Sequence, residues 1–360
     1  MHEFNLQPGQ QVISGIGSLD QLHRVVEKLG KSRAVVLTGN TLTTKTDLVK
    51  QVESELGEFH AGTFSGCQQH VPDHTVDAGV EFARDSNADC IVAFGGGSPT
   101  DTAKNVAHRL MGDAPREAVP QVAISTTLSA GEYTAIGGIT DIVKKIKRGV
   151  RDPRIVPMAV ILDPNVTVAT PKDLWTTTGM KAFDHAVEAL WSTRAQPLTD
   201  TLAMEAISKL SKNLIPSIEK NALDARLECQ IGAWMSIYGV ASLGLRLTHP
   251  MGHQIGGRWD VPHGVTSCIT LPTVMRFLKP TTGEAQQKIA KAMGVDDPIA
   301  GVESLIASLG VPRKLSELGV PKDELSECAY AISYELTKTG SPDAETATEE
   351  VLTRLLEEMW

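Results

Sequence analysis

Asp89-Cys90-Ile91-Val92-Ala93-Phe94-Gly95-Gly96-Gly97-Ser98-Pro99-Thr100-Asp101-Thr102-Ala103-Lys104 passes from an apolar run, through three glycines, into a helix-like run. A continuous apolar run of this length is what a strand buried on both faces of a parallel sheet requires. Three glycines let the backbone approach a ligand closely, Ser98 is placed to cap a helix and Pro99 suits its first position. A helix beginning there offers free N–H groups and a partial positive charge to a phosphate. The loop is neither GxGxxG nor a Walker loop, and an ordinary strand-to-helix turn is the competing reading. Ser98, Pro99, Asp101 and Lys104 together favour a pyrophosphate cradle.

Outward from this stretch the pattern repeats. Arg33-Ala34-Val35-Val36-Leu37-Thr38 ends at Gly39-Asn40, and Gln121-Val122-Ala123-Ile124-Ser125 ends at Thr126-Thr127-Leu128-Ser129. Ala159-Val160-Ile161-Leu162 follows Pro157. Apolar strands separated by helices predict a parallel, Rossmann-like sheet that binds ligands at its carboxyl ends. Those ends carry Gly, Ser and Thr, the residues of a nucleotide site. Past Asp163-Pro164 helical periodicity takes over, with clear examples at 201–213 and 224–241. The expected architecture is an α/β dinucleotide-binding domain over 1–163, then an all-α substrate domain over 164–360. The cleft between them is the default active site.

Composition sets limits. The 360 residues are 41% hydrophobic with a formal net charge of −9, which argues against general nucleic-acid binding. No apolar run is long enough to span a bilayer. The first residues lack the basic start and apolar core of a signal peptide, so a cytoplasmic protein is expected. Five cysteines without a CxxC pair read as reduced thiols.

The second informative stretch is Leu247-Thr248-His249-Pro250-Met251-Gly252-His253-Gln254-Ile255-Gly256-Gly257-Arg258-Trp259-Asp260-Val261-Pro262-His263-Gly264. His249 and His253 share one helix face at i, i+4, and Pro250 threatens to distort that turn. Upstream, Lys181 and His185 repeat the i, i+4 spacing. Four histidines on two segments can line one cleft, where imidazole binds a divalent metal or moves protons. Arg246 and Arg258 are possible carboxylate anchors, with surface or capping roles at least as natural.

With these residues in hand, the chain resembles the iron-dependent (group III) alcohol dehydrogenase superfamily over essentially its full length. The marks are Gly15-Ile16-Gly17-Ser18-Leu19, the glycine loop through Lys104, the segment from Gly179-Met180 to His185-Ala186-Val187-Glu188-Ala189, and the His249, His253 and Pro262-His263-Gly264 array. Ser125-Thr126-Thr127, Arg151-Asp152-Pro153-Arg154-Ile155-Val156-Pro157 and Gly256-Gly257-Arg258-Trp259-Asp260-Val261-Pro262-His263 are more similar to the maleylacetate reductases. The resemblance implies a nicotinamide cofactor held by Gly95, Gly96, Gly97, Ser98 and Asp101, by Ser125, Thr126, Thr127 and Ser129, and by Lys147. Gly39, followed by Asn40, stands where many NAD-specific members carry an aspartate, so NADH and NADPH are both admissible. A homodimer is implied in the same way.

Metal-dependent members bind Fe²⁺ or Zn²⁺ through one aspartate and three histidines. The resemblance places Lys181, His185, His249 and His263 at those positions, so an amine replaces the carboxylate. At an effective dielectric near 20, an ammonium about 4 Å from a divalent ion is repelled by roughly 8 kcal/mol. The expectation is therefore no catalytic metal; if one binds, His185, His249 and His263 hold it. The expected activity is NAD(P)H-dependent reduction of a small anionic oxo-acid, maleylacetate to 3-oxoadipate. His253 delivers a proton, Lys181 stabilises charge, and His185, His249 and His263 bind substrate oxygens. The alternatives are a metal-dependent alcohol dehydrogenase and a nucleotide-binding sensor or assembly subunit without catalysis.

Overall fold

The computed structural model describes residues 10–112, 118–142, 146–220, 222–243 and 246–360. The chain divides into two compact units, one ending at Thr170 and the other spanning Pro171–Trp360. The division falls later than the expected 163, for a visible reason. The Asp163 carboxylate accepts from the amides of Gly17 at 3.2 Å and Leu19 at 3.0 Å, and Thr170 Oγ1 donates to the Thr126 carbonyl at 2.7 Å. These bonds keep the stretch on the sheet side.

The strands of the first unit are β1 (Gln11–Ser14), β2 (Ala34–Leu37), β3 (His60–Phe64), β4 (Cys90–Gly95), β5 (Gln121–Ser125), β6 (Ile136–Asp141), β7 (Ile146–Arg151) and β8 (Ala159–Leu162). Among the described residues, six of them form one sheet in the order β1-β8-β5-β4-β2-β3, every neighbouring pair parallel. β6 and β7 form a separate antiparallel hairpin. The unit's α-helices are α1 (Leu22–Lys28), α2 (Asn40–Lys45), α3 (Leu48–Leu56), α4 (Asp73–Asp85) and α5 (Gly97–Met111).

The period-2 alternation of each strand explains why its apolar run is unbroken. Val36, Val92, Phe94, Val122 and Ile124 pack on one face with Val25 and Val26 of α1 and Val52 and Leu56 of α3. Val35, Leu37, Ile91 and Ala93 pack on the other with Val76 and Val80 of α4 and Val106 and Ala107 of α5. β1 and β3 were not expected. Their sequences, Gln-Val-Ile-Ser and His-Ala-Gly-Thr-Phe, lie at the two sheet edges and are only partly buried, so they lack the apolar signature.

The order of strands matters for function. From β2 the chain steps outward to β3, then returns to the other side of β2 as β4. The gap between the carboxyl ends of β2 and β4 is thus a topological switch point, where sheets of this kind bind ligands.

The second unit is helical among its described residues: α6 (Lys172–Leu190), α7 (Pro197–Asn213), α8 (Leu223–Leu243), α9 (Thr248–Trp259), α10 (His263–Leu278), α11 (Gly283–Met293), α12 (Pro298–Leu309), α13 (Leu325–Thr339) and α14 (Glu349–Met359). α6 is buried almost throughout from Trp175 onward, and the Trp175 indole donates to Ser217 Oγ at 2.8 Å under the Arg226 guanidinium. No helix among the described residues is long and apolar enough to cross a membrane.

Candidate active site

The three loops expected to hold a nucleotide follow adjacent strands, β5, β4 and β2. Gly39 is the N-cap of α2 and Asn40 its first residue. The glycine loop differs in detail from expectation: Gly96 is the N-cap of α5, Gly97 begins the helix, and Ser98 is already inside it with no capping bond. Pro99 still falls in the first turn, where a missing N–H costs nothing. A Cβ on Gly96 would lie 2.9 Å from Thr127 Cγ2, so the loops after β4 and β5 touch only because residue 96 has no side chain. Ser125, Thr126 and Thr127 are buried; Ser125 Oγ donates to the Thr127 carbonyl at 3.1 Å and Thr127 Oγ1 to Ser129 Oγ at 3.2 Å. Asp101 lies one turn into α5. The Lys147 side chain lies outside the described residues, although its backbone belongs to β7.

Lys104 is a correction. Its ammonium points inward and donates to the carbonyls of Gly131, Thr134 and Ile136 and to Thr134 Oγ1, so it ties α5 to the following segment and presents nothing to a phosphate. Burial lowers it to about 8, against the opposing pull of Asp101 and Glu132.

In the helical unit the histidines converge. Lys181, His185 and Glu188 follow one another along a face of α6 at i, i+4, i+7. His249 and His253 lie on α9, and His263 opens α10 directly after Pro262. Pro250 falls in the first turn of α9 and does not distort it. Ring centroids are 4.9 Å apart for His185–His249, 5.6 Å for His249–His263, 5.2 Å for His253–His263 and 6.3 Å for His249–His253. Two glycines permit this crowding. A Cβ on Gly264 would strike the Thr177 backbone at 2.6 Å, and one on Gly252 would meet Thr266 Oγ1 at 2.8 Å and the His263 ring at 3.1 Å.

Behind the rings lies a buried carboxylate network that the sequence reading missed. Glu188 Oε2 accepts from the Arg246 amide at 2.9 Å and faces His249 Nδ1 at 3.0 Å. Its Oε1 accepts from the Thr248 amide at 3.0 Å and from the Thr248 hydroxyl. Asp184 receives Thr248 Oγ1 at 2.8 Å and Ser267 Oγ at 2.9 Å. One hydroxyl proton on Thr248 cannot serve both acids. The hydroxyl lies within hydrogen-bond reach of both carboxyl groups, which compete for it. Burial pushes Asp184 up to about 7 despite the nearby His249. Burial would also raise Glu188, but His249, the Thr248 hydroxyl and the Arg246 amide outweigh it and hold the carboxylate below its usual range. The sequence did carry a signal: Glu188 is a charged residue inside the apolar run Ala186-Val187-Glu188-Ala189-Leu190.

The four histidines thus differ electrically. Burial lowers His249, yet Glu188 and Asp184 overcome it and raise the ring above the ordinary histidine value. Burial, His249 and Lys181 push His185 well below that value, and burial, Lys181 and the other three rings do the same to His263. His185 Nδ1 and His249 Nε2 are buried without a hydrogen-bond partner among the described residues. His253 is half-exposed and pairs through Nδ1 with Glu335 at 3.2 Å. Neither candidate anchor arginine is open: Arg246 is buried in a bidentate pair with Asp343, and Arg258 pairs with Glu324 and Glu327.

The donors do not fit a tightly held divalent metal. Lys181 brings a cation where a ligand set of this kind needs an anion, and Glu188 favours the protonated form of His249. Asp184, Glu188 and His249 bring their ligand atoms within 4.8 Å of one another, but every carboxylate oxygen there already lies within hydrogen-bond distance of a protein donor.

Comparison with known proteins bears on this arrangement. Residues 9–164 match the family described as iron-containing alcohol dehydrogenase, and residues 175–360 match the C-terminal part of the Fe-containing alcohol dehydrogenase family. The chain belongs to the iron-containing alcohol dehydrogenase family. It is 32% identical over 351 residues to the maleylacetate reductase of Sphingobium indicum, covering 96% of this chain and 95% of that one. The maleylacetate reductase of Agrobacterium tumefaciens superposes with a TM-score of 0.88 at 28% identity, covering 100% of this chain and 98% of that one. A 1,3-propanediol oxidoreductase superposes with a TM-score of 0.92 at 26% identity, each chain covered in full at 100%. These relatives are oxidoreductases, and the chain is an enzyme of that class. The fold is shared by reductase and alcohol-oxidising members alike, so the side chains must choose between them.

Proposed function

We propose that the protein is an NAD(P)H-dependent reductase of a small anionic oxo-acid, acting like a maleylacetate reductase and without a catalytic metal. The observation that carries this is Lys181 among the histidines. With His249, it gives the site a positive charge suited to an anionic substrate and to the oxyanion that forms during reduction. Sequence similarity to maleylacetate reductases at about one-third identity supports the substrate class.

When bound along the loops at Gly39, Asn40, residues 95–98 and residues 125–129, with Asp101 and Lys147, NADH or NADPH supplies the hydride. Lys181 and the imidazolium of His249 stabilise negative charge on the substrate carbonyl oxygen. His249 Nε2, open and buried, is the natural N–H donor to that oxygen. His185 and His263, held neutral, bind the remaining carboxylate and carbonyl oxygens. His253 delivers the proton: it is oriented through Nδ1 by Glu335 and is open enough to solvent to be recharged. A cytoplasmic homodimer without nucleic-acid or membrane partners belongs to the same proposal.

The unpartnered nitrogens of His185 and His249 favour one other reading, a metal-dependent dehydrogenase with three histidine ligands and water. The test is oxidation of NADH and of NADPH with maleylacetate by EDTA-treated protein. Rapid turnover is expected. Turnover that appears only with added Fe²⁺ or Zn²⁺ selects the second reading, and no turnover under either condition refutes the substrate assignment.

A further inference from the structure

Glu188 is not part of any role described so far, yet its surroundings constrain the site closely. It is completely buried, and its two oxygens meet four donors: two backbone amides, one hydroxyl and one imidazole nitrogen. Only an ionised carboxylate offers acceptors on both sides. An amide would turn its NH₂ toward two of those donors in either orientation. Because Oε2 can only accept, the hydrogen of the His249–Glu188 contact must sit on Nδ1. That places a hydrogen on Nδ1 of His249 and leaves Nε2 as its open atom.

The bond also sets the direction of the ring. The amides of Arg246 and Thr248, just ahead of His249 in sequence, grip the same carboxylate, so the first turn of α9 and the imidazole it carries are clamped to α6 as one piece. His185, three residues from Glu188 on α6, stacks on His249 at an interplanar angle of 18°. We infer that Glu188 is the positioning residue that keeps a proton on Nδ1 of His249 and points its Nε2 at the reacting oxygen. The inference rests on the reaction proposed above for the role of Nε2, but the proton on Nδ1 does not.

The test therefore has two readouts. The first is ¹⁵N–¹H NMR of ¹⁵N-histidine-labelled protein, with His249 assigned by the signal lost in His249→Asn. The expected result is a proton on Nδ1 in the parent protein, a comparable signal in Glu188→Asp, and loss of that pattern in Glu188→Ala. A parent ring protonated at Nε2 alone, or a His249 signal unchanged in Glu188→Ala, overturns the inference whether or not maleylacetate is the substrate. The second is steady-state kinetics. Glu188→Ala is expected to lower kcat by about 10–100-fold with KM little changed, the range usual for a residue that orients a functional histidine, and Glu188→Asp is expected to recover part of it. Ser267→Ala weakens the same buried network without touching His249 and is expected to keep the parent kcat. Equal losses in Ser267→Ala and Glu188→Ala would mean that the network serves only the fold, and would also overturn the inference.

Discussion

Replacing Gly96 with alanine tests the cofactor loop at a single contact. The backbone there is extended, with φ −86° and ψ −154°, so alanine incurs no conformational strain. What it meets is Thr127: the new Cβ would lie 2.9 Å from Cγ2 and 3.2 Å from Oγ1. Thr127 is 5% exposed and bonded to Ser129, and the Gly96 carbonyl is held by the Thr100 hydroxyl at 3.1 Å. Neither side yields freely, so the cost is that of overpacking a tight site, about 1–3 kcal/mol. If the loop is the pyrophosphate cradle, that energy appears largely as a displaced loop and weaker cofactor binding. At 1.4 kcal/mol per decade this is about 5- to 150-fold in Kd. Fluorescence titration with NADH and NADPH measures it, alongside thermal unfolding. Thr127→Ser removes Cγ2 and should restore much of the affinity in the double variant, giving a coupling term between the two sites. A Gly96→Ala protein that binds both cofactors as tightly as the parent would refute the reasoning.

Other outcomes follow from the same geometry. His253→Ala should lower turnover by about 10²–10⁴-fold if His253 is the proton donor, and a near-normal rate would remove it from that role. Gly39→Asp should be accommodated, since a Cβ there lies 3.5 Å from the Cys67 carbonyl; it should shift preference from NADPH toward NADH by about tenfold or more, roughly 1.4 kcal/mol, and an unchanged ratio of kcat/KM values would show that residue 39 does not face the ribose. Lys181→Asp restores an anion among three imidazoles and should let the protein retain Zn²⁺ or Fe²⁺ through dialysis; elemental analysis showing none would mean Lys181 is not at the ligand position. Burial raises Cys67, Cys90, Cys229, Cys268 and Cys328 to about 12 each. Because these folded values exceed the unfolded ones, the thiols' contribution is complete below about pH 8.5 and is lost as pH rises toward 12. Tm should accordingly fall above pH 9, and the native protein should resist thiol reagents at pH 8; rapid labelling of any of the five would contradict their burial.

The sequence by itself determined the layers of the fold and the chemical inventory of the site. Strands buried on both faces must be apolar at every position, so β2, β4, β5 and β8 are written in runs such as Ile91-Val92-Ala93-Phe94. The glycines between β4 and α5, and the i, i+4 pairs Lys181/His185 and His249/His253, are local spacings that a helix or a turn converts directly into geometry. The edge strands β1 and β3 escaped because half-buried edges tolerate polar residues and glycine. Only the tertiary structure decided which partner each polar group takes. Glu188 meets His249 from 61 positions away, and Arg246 meets Asp343 from 97. Lys104 turns from a supposed phosphate to carbonyls about 30 residues on. No periodicity encodes such pairs, because a hydrogen bond depends on where two atoms end in space. Those pairings favour the charged form of His249, while burial and neighbouring charge favour the neutral forms of His185 and His263, so residues of one type become electrically distinct.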